Sequence, residues 1–159
     1  MGKINSRHKG ASFEREVAMH LNVFFESIGV PLKVKRNLEQ YQEKDLGDLN
    51  VPNHTIECKR YANGSWYKEE WWQQVINSCG STIPVLIWKY NRQPIRVCLP
   101  MYVLTKGKKD LSKTVVLTFE DWLDILAKIF NNMLYSLGNQ FKVIGTFNQY
   151  RRKNVWLMQ

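Results

Sequence analysis

The chain has 159 residues, of which 44% are hydrophobic and 13% aromatic, and it carries a formal net charge of +9. This apolar content is typical of a chain that folds around a core, and the length suits one domain. No apolar run reaches the roughly 18 residues of a membrane-spanning helix, and the N-terminus lacks the apolar segment of a signal peptide. We therefore expect a cytoplasmic protein without a membrane partner.

The positive charge is clustered rather than spread evenly along the chain. The clusters are Lys3 to Lys9, Lys106 to Lys113 and Arg151 to Lys153. Clustered cations indicate a polyanionic partner, with nucleic acid ahead of an anionic membrane surface, although charge can also serve solubility alone. The three cysteines are widely spaced and form no CxxC pair. That pattern is typical of reduced thiols and predicts no structural zinc site.

The N-terminal part of the chain predicts one helix followed by an extended segment. Apolar residues recur at spacings of three and four from Ser12 to about Ile28, which predicts the first helix, with Ser12 as its N-cap. Residues 31–37 alternate apolar and basic side chains, as a half-buried strand does. Polar residues 38–45 predict a loop.

The remainder of the chain predicts strands and helices in alternation. In order they are strands Leu46–Val51 and His54–Arg60, a helix from Trp66 to about Cys79, strands Ile83–Tyr90, Ile95–Met101 and Thr114–Thr118, and a helix from Phe119 to about Met133. This order predicts an α/β fold in which helices flank a mixed central sheet. We expect a single domain over residues 1–159, with a core over about residues 7–100 and a C-terminal extension over residues 101–159. The wide apolar stripe of the last helix suits either a dimer interface or a cover over the sheet.

The turn between the second and third predicted strands sets the position of two carboxylates. If Pro52-Asn53 is a two-residue turn, Val51 pairs with His54. Counting back along both strands then places Asp48 directly opposite Glu57. Directly opposed side chains lie about 5 Å apart on one face of a sheet.

A lysine belongs to the same face as this pair, because Lys59 follows Glu57 by two residues. Cys58 and Ile56 point the other way, into the core. Two close carboxylates repel each other unless a cation lies between them, and oxygen ligands suit Mg²⁺, with Mn²⁺ as a substitute. A lysine beside such a metal is typical of phosphodiester hydrolysis. The alternative is an ordinary ion cluster in which Lys59 neutralises Asp48 and Glu57.

Three segments resemble known nucleases. Gly-Asp48 followed by Ile-Glu57-Cys-Lys59 resembles the PD-(D/E)xK nuclease motif, with glycine where the motif name has proline. Residues 9–16, Lys-Gly-Ala-Ser-Phe-Glu-Arg-Glu, resemble the first helix of archaeal-type Holliday-junction resolvases. Residues 83–90, Ile-Pro-Val-Leu-Ile-Trp-Lys-Tyr, resemble the fourth strand of that family. The resemblance covers about residues 7–100 and implies a restriction-endonuclease-like fold. A phage origin and action in the cytoplasm of a bacterial or phage-infected cell are further expectations.

The resemblance also implies roles for individual residues. Asp48 and Glu57 ligate the metal together with the main-chain carbonyl of Cys58, and Lys59 is the catalytic lysine. Glu14 is a catalytic carboxylate that binds a second metal ion or acts through a water molecule. The residues assigned to DNA binding are Lys9, Arg15, Arg36, Arg60 and Lys89. The weaker candidates on the second helix are Gln73 and Gln74, since several branches of the superfamily carry a functional glutamine or lysine there.

The activity implied is that of a homodimer that makes symmetric nicks in four-way DNA junctions. Residues 38–45 and the extension over residues 101–159 depart from that family's pattern. Other PD-(D/E)xK activities therefore stay open: restriction-like, repair, and single-strand or flap processing. A non-catalytic DNA-binding module is a further alternative. Among the aromatic residues around the second helix, Trp66, Tyr67 and Trp71 are candidates for stacking on unpaired bases, whereas Trp72 is expected in the core.

Overall fold

A computed structural model of the chain describes residues 2–37 and 47–136, with side chains described for residues 9–37, 47–133 and 136. The predicted loop over residues 38–45, the start of the predicted strand at Leu46 and the basic segment at Arg151 to Lys153 lie outside the described residues. All statements about the fold below concern the described ranges.

Helices and strands alternate along most of the described chain. The elements are α1 (Gly2–Ser27), β1 (His54–Tyr61), α2 (Glu69–Ser78), β2 (Ile83–Tyr90), β3 (Arg96–Pro100), α3 (Tyr102–Thr105), β4 (Thr114–Thr118) and α4 (Phe119–Ser136). The strands form one sheet in the order β1-β2-β3-β4, in which β1 and β2 are parallel and the other pairs antiparallel. This mixed sheet with flanking helices confirms the predicted restriction-endonuclease-like fold class. No helix within the described ranges combines the length and the apolarity that crossing a membrane requires.

The sheet is buried on both faces, and alternation along β2 shows how. Val85 and Ile87 belong to the larger apolar cluster, which α1 and α4 cover, whereas Leu86 and Trp88 belong to the smaller cluster under α2. Side chains alternate between faces along a strand, so a strand buried on both sides becomes a continuous apolar run. The run over residues 83–90 therefore predicted β2 with its observed bounds.

The last helix covers the sheet as part of the main core. Its buried residues are Phe119, Trp122, Leu123, Leu126 and Phe130. Of the two interpretations of its apolar stripe, the cover over the sheet is the observed one. The predicted C-terminal extension thus supplies β4, which pairs with β3, and the buried residues of α4 in the main core.

The first helix begins much earlier than predicted. It starts at Gly2, so Ser12 lies inside the helix and is not its N-cap. Apolar periodicity identifies only the part of a helix that packs against a core, and that part begins at Phe13, which is fully buried. The preceding turns continue the helix without an apolar repeat, which is why the sequence pattern missed them.

The predicted strand over residues 31–37 and the predicted strand Leu46–Val51 were wrong as regular strands. Their described residues make only isolated bridges, Leu49 with Arg36 and Leu49 with Ile56. A side chain replaces a strand partner in this region, because the amide of Asn22 accepts from the N–H of Val34 at 2.7 Å and donates to its carbonyl at 2.9 Å. Alternation predicted the extended backbone correctly, but it could not show that the ladder is incomplete.

Two histidines are buried in the main core. The His54 ring stacks parallel to Phe130, and its Nδ1 donates to the Pro52 carbonyl at 2.8 Å. His20 meets the edge of Phe119. Burial lowers the pKa of both imidazoles below the ordinary value of 6.5; for His54 the Pro52 hydrogen bond opposes the shift, and for His20 the carboxylate of Glu16 does.

Acid should therefore destabilise the fold through these histidines. Below pH 6.5 the unfolded chain binds protons that the buried imidazoles do not, so the free energy of unfolding falls as the pH falls from about 7 to about 5. His54→Phe should reduce this pH slope whatever it does to stability at neutral pH. Urea titrations of both proteins across that range measure it, and an unchanged slope would show that His54 does not contribute.

Gly47 allows the segment before Asp48 to approach β1. A Cβ at this position would lie 2.6 Å from the backbone nitrogen and oxygen of Ile56, neither of which can move without disturbing the strand. Gly47→Ala should lower the free energy of unfolding by about 1–3 kcal/mol. Gly10→Ala is the control: Gly10 lies in α1, its Cβ would approach no atom closer than 4.0 Å, and the change should stabilise the helix by about 1 kcal/mol. Chemical denaturation compares them, and equal effects would contradict the close approach at Gly47.

Candidate active site

A tight turn precedes β1 and brings two chain segments side by side. The N–H of His54 donates to the Val51 carbonyl at 3.1 Å. Asn53 adopts a left-handed conformation with φ of 60°, which asparagine tolerates better than most residues. The predicted two-residue turn at Pro52-Asn53 is confirmed.

The register after this turn places two carboxylates opposite each other. Leu49 and Ile56 form an antiparallel bridge, and the N–H of Asp48 donates to the Ile56 carbonyl at 2.6 Å. One step further along both segments, Asp48 stands opposite Glu57, as the turn count predicted. Both carboxylates are buried, at 7% and 9% relative exposure.

Asp48 is fixed to the edge of β1 by its own side chain. Its Oδ2 accepts the N–H of Cys58 at 2.6 Å, so this N–H points away from β2 and towards Asp48. The N–H and the carbonyl of one strand residue point to the same side. The carbonyl of Cys58 is therefore directed to the side of Asp48, where the sequence resemblance implies a metal ligand.

Glu57, Lys59 and Gln74 form a closed hydrogen-bonded triangle. Lys59 Nζ donates to Glu57 Oε1 at 2.6 Å and to Gln74 Oε1 at 3.0 Å, and Gln74 Nε2 donates to Glu57 Oε1 at 2.9 Å. Gln74 comes from α2, which connects β1 to β2. The triangle therefore fixes the predicted catalytic lysine from two elements.

The structure separates the two glutamine candidates of α2. Gln73 is exposed and donates to Glu69 Oε1 at 2.9 Å, away from the site, whereas Gln74 reaches both Glu57 and Lys59. Both glutamines lie beside the apolar stripe of α2, so periodicity could not choose between them. The choice depends on how α2 lies over β1, which is a tertiary property.

The site concentrates negative charge. Burial raises the pKa of Glu57, and the carboxylates of Asp48 and Glu14 add to the effect while the ammonium of Lys59 opposes it. Burial also raises the pKa of the Cys58 thiol well above its ordinary value, and the same carboxylates again contribute. A cation bound between Asp48 and Glu57 would relieve this repulsion.

Glu14 reaches the site from α1. Its Oε2 forms an ion pair with Arg36 Nε at 2.5 Å, and both side chains are partly buried. The negative charge of Glu14 contributes to the raised pKa of both Glu57 and Cys58, so Glu14 belongs to the electrostatic environment of the site. Arg36, predicted as a DNA contact, holds this carboxylate in place.

A second ionic cluster lies on the other face of the sheet. Glu16 accepts from Arg60 Nη1 at 3.2 Å and from Lys89 Nζ at 2.9 Å, and these two cations are register partners in the parallel β1–β2 pair. The predicted DNA contacts Arg60 and Lys89 are thus brought together, but not with Asp48. The sequence analysis assigned Glu16 no such role. The sequence did contain one sign of this difference. Glu14 and Glu16 are two residues apart on a helix, so their side chains point to different neighbours.

Comparison with known protein families identifies the chain. A family model described as phage putative PDDEXK endonuclease matches residues 5–140. The chain belongs to this family. No curated protein matches it. The family match confirms a phage-associated PD-(D/E)xK nuclease, and its range includes β4 and α4 beyond the segment that the sequence resemblance covered.

PD-(D/E)xK endonucleases generally use divalent metal ions, and the donor atoms of this one fit such an ion. Within the described residues, no three side chains of histidine, cysteine, aspartate or glutamate are grouped to hold a metal. The fit depends instead on two opposed carboxylates and one main-chain carbonyl. An all-oxygen set of this size suits a hard cation that keeps several water ligands.

Gln74 should be required for efficient DNA cleavage by the endonuclease. Gln74→Ala removes two sides of the triangle around Lys59 and Glu57, and the single-turnover cleavage rate should fall about 10–100-fold. Gln73→Ala is the matched control, because it alters the neighbouring glutamine and leaves the triangle intact; its rate should stay within about twofold of wild type. Equal rates for the two variants would show that the triangle has no part in cleavage.

Proposed function

We propose that this nuclease is a divalent-metal-dependent endonuclease that hydrolyses phosphodiester bonds in branched DNA. The observation that carries the proposal is the opposed pair Asp48 and Glu57 beside the Lys59–Gln74 hydrogen bond. The Cys58 N–H fixes the Asp48 carboxylate at the edge of β1, and Lys59 is held by Glu57 and Gln74. The family match supports the same chemistry.

Each residue of the site has a proposed role. Asp48, Glu57 and the Cys58 carbonyl hold Mg²⁺, for which Mn²⁺ is a possible substitute. When bound, the ion supplies a more acidic water and polarises the phosphate. Lys59 donates two hydrogen bonds within the triangle, and an ammonium group has three donors, so a third can orient the attacking water or a phosphate oxygen. Glu14 holds a second metal ion or a water, and Arg36 fixes its orientation.

A four-way junction is the proposed substrate, cut by a homodimer in the cytoplasm of a bacterial or phage-infected cell. Support comes from residues 9–16 and 83–90, which resemble junction resolvases and which the structure places beside each other through the Glu16–Lys89 ion pair. Lys9 and Arg15 are exposed cations on α1 that suit contact with phosphates. Carboxylates already hold the other three proposed DNA contacts, Arg36, Arg60 and Lys89. A DNA phosphate that contacts one of these cations must therefore share it with its carboxylate partner.

The second candidate is a nuclease that processes flaps or single strands. It is favoured by exposed aromatic rings, including Trp66 and Tyr61, near the candidate site. A restriction-like or repair nuclease has no particular observation in its favour. The non-catalytic module is disfavoured by the presence of Asp48, Glu57 and Lys59 in one place.

Asp48→Asn should abolish cleavage while it keeps the hydrogen bond from the Cys58 N–H. Asp48→Asn retains an oxygen that can accept the Cys58 N–H, so the fold should persist while cleavage falls to the level seen with EDTA. The control is Glu70→Gln, which removes an exposed carboxylate of α2 and should cleave as wild type does. The assay uses a labelled four-way junction, linear duplex, single strand and flap with Mg²⁺, Mn²⁺ or EDTA.

The products distinguish the proposed substrates. Symmetric paired nicks confined to the junction support the resolvase, whereas preferential cutting of the flap or the single strand supports the second candidate. Equal cutting of linear duplex rejects structure selectivity. An active Asp48→Asn protein would contradict the metal site itself. Sedimentation tests the homodimer, since concerted nicking of two strands requires two sites.

A further inference from the structure

An aromatic surface continues the row of catalytic residues along β1. We define it as the aromatic ledge, comprising Tyr61, Trp66, Tyr67, Lys68 and Trp71. Trp66 is 57% exposed and Tyr61 45% exposed. Trp72 lies in the core, as expected, and so does Trp71, which is only 7% exposed. Trp71 was therefore wrong as a candidate for stacking on bases, and it supports the exposed ring of Tyr61 from below. The aromatic ledge lies on the face of the sheet that α2 covers.

The aromatic ledge and the candidate site are built on the same two elements. Tyr61 follows Lys59 by two residues on β1, so their side chains share a face and start about 7 Å apart. On α2, Trp71 precedes Gln74 by three residues and lies on the same side of the helix. Two contacts thus join β1 to α2 side by side. Tyr61 stacks on Trp71 with ring centroids 4.8 Å apart, and Lys59 donates to Gln74. The exposed ring of Tyr61 therefore lies next to Lys59 on the same face of the sheet.

The exposure of Trp66 does not come from a loose loop. The Tyr90 hydroxyl donates to the Trp66 carbonyl at 2.6 Å, and Gln93 Nε2 donates to the Gly64 carbonyl at 2.6 Å. Gly64 has φ of 143°, and a Cβ there would lie 2.3 Å from the Tyr90 ring. The backbone is thus fixed from both sides while the indole of Trp66 stays in solvent. A fixed aromatic ring in water is preorganised for stacking on a planar ligand.

The charge around the aromatic ledge favours stacking over general attraction of phosphates. Lys68 Nζ lies 5.6 Å from the Tyr61 ring and 5.8 Å from the Trp71 ring, so one cation accompanies the rings. The first turn of α2 also carries Glu69 and Glu70, which offset that cation. A surface with mixed charge and exposed rings suits unpaired bases better than the phosphate backbone of a duplex.

We propose that the aromatic ledge binds an unpaired stretch of the DNA strand that enters the active site, by stacking of its bases. This proposal rests on the proposed nuclease function and names the form of DNA that the same site takes. The expected substrate is therefore a branched DNA with unpaired bases next to the scissile phosphate, and a duplex with a single-stranded tail is the simplest probe of that feature. Direct continuity with Lys59 favours the substrate strand over a protein partner as the occupant.

Binding to tailed duplexes tests the proposal in EDTA, where cleavage cannot interfere. The three probes are a blunt duplex, the same duplex with a thymidine tail, and the same duplex with an abasic tail, which keeps the phosphates but lacks the bases. Wild type should bind the thymidine tail about tenfold more tightly than the abasic tail. Trp66→Ala should lose most of that difference while its binding to the blunt duplex stays unchanged.

Two further variants keep the result interpretable. Trp66→Phe retains a ring and should retain most of the preference for the thymidine tail. Leu104→Ala removes another exposed apolar side chain, on α3, and should bind all three probes as wild type does. Equal affinity of wild type for the thymidine and abasic tails would overturn the proposal, as would an unchanged preference in Trp66→Ala.

Cleavage of the same probes with Mg²⁺ separates this proposal from the proposed function. If wild type cuts DNA but shows no preference for bases in the tail, the aromatic ledge is not a substrate site and the nuclease function stands. If wild type cuts none of the DNA forms with either metal, the nuclease function fails. A preference for bases in the tail would then still establish the aromatic ledge as a single-strand binding surface.

Discussion

The hydrogen bond from the Cys58 N–H to the Asp48 carboxylate is the contact on which the candidate site depends. It joins an irregular segment to β1 with a side chain where a regular sheet would use a carbonyl. The same bond sets Asp48 opposite Glu57, turns the Cys58 carbonyl outward and leaves Lys59 to pair with Glu57 and Gln74. The Asp48 carboxylate therefore has two roles: it holds its segment against β1, and it is a proposed ligand of the metal ion. The fold itself therefore fixes the geometry of the side chains proposed to bind the metal.

The carboxylates of α1 hold different cations. Glu14 pairs with Arg36, whereas Glu16 holds Arg60 and Lys89. The chain has an excess of cations, yet the candidate site itself is locally acidic. Positive charge can attract DNA over a distance, whereas a locally acidic site suits a bound cation. This division explains why net charge indicated the partner but not the position of the site.

The sequence predicted those features that follow from local rules. The two-residue turn determined the register of Asp48 and Glu57, and the apolar runs determined β2 and β4. The start of α1 was missed because its first turns carry no apolar repeat. Gln74 could not be separated from Gln73, and Arg36, Arg60 and Lys89 could not be assigned to Glu14 and Glu16, because such contacts depend on how elements pack in space. The strands predicted before β1 failed for a related reason: extended backbone alternates in sequence whether or not it has a full ladder.

The segment around Asp48 has a further consequence for the behaviour of the chain in solution. In the sheet order, β1 is an edge strand, and open edges pair readily with strands of other molecules. Here Asp48 and Leu49 occupy that edge through backbone and side-chain hydrogen bonds to Ile56 and Cys58. The segment that carries Asp48 therefore also protects the sheet against edge-to-edge association. A substitution there is expected to change both the candidate site and the resistance of the protein to aggregation.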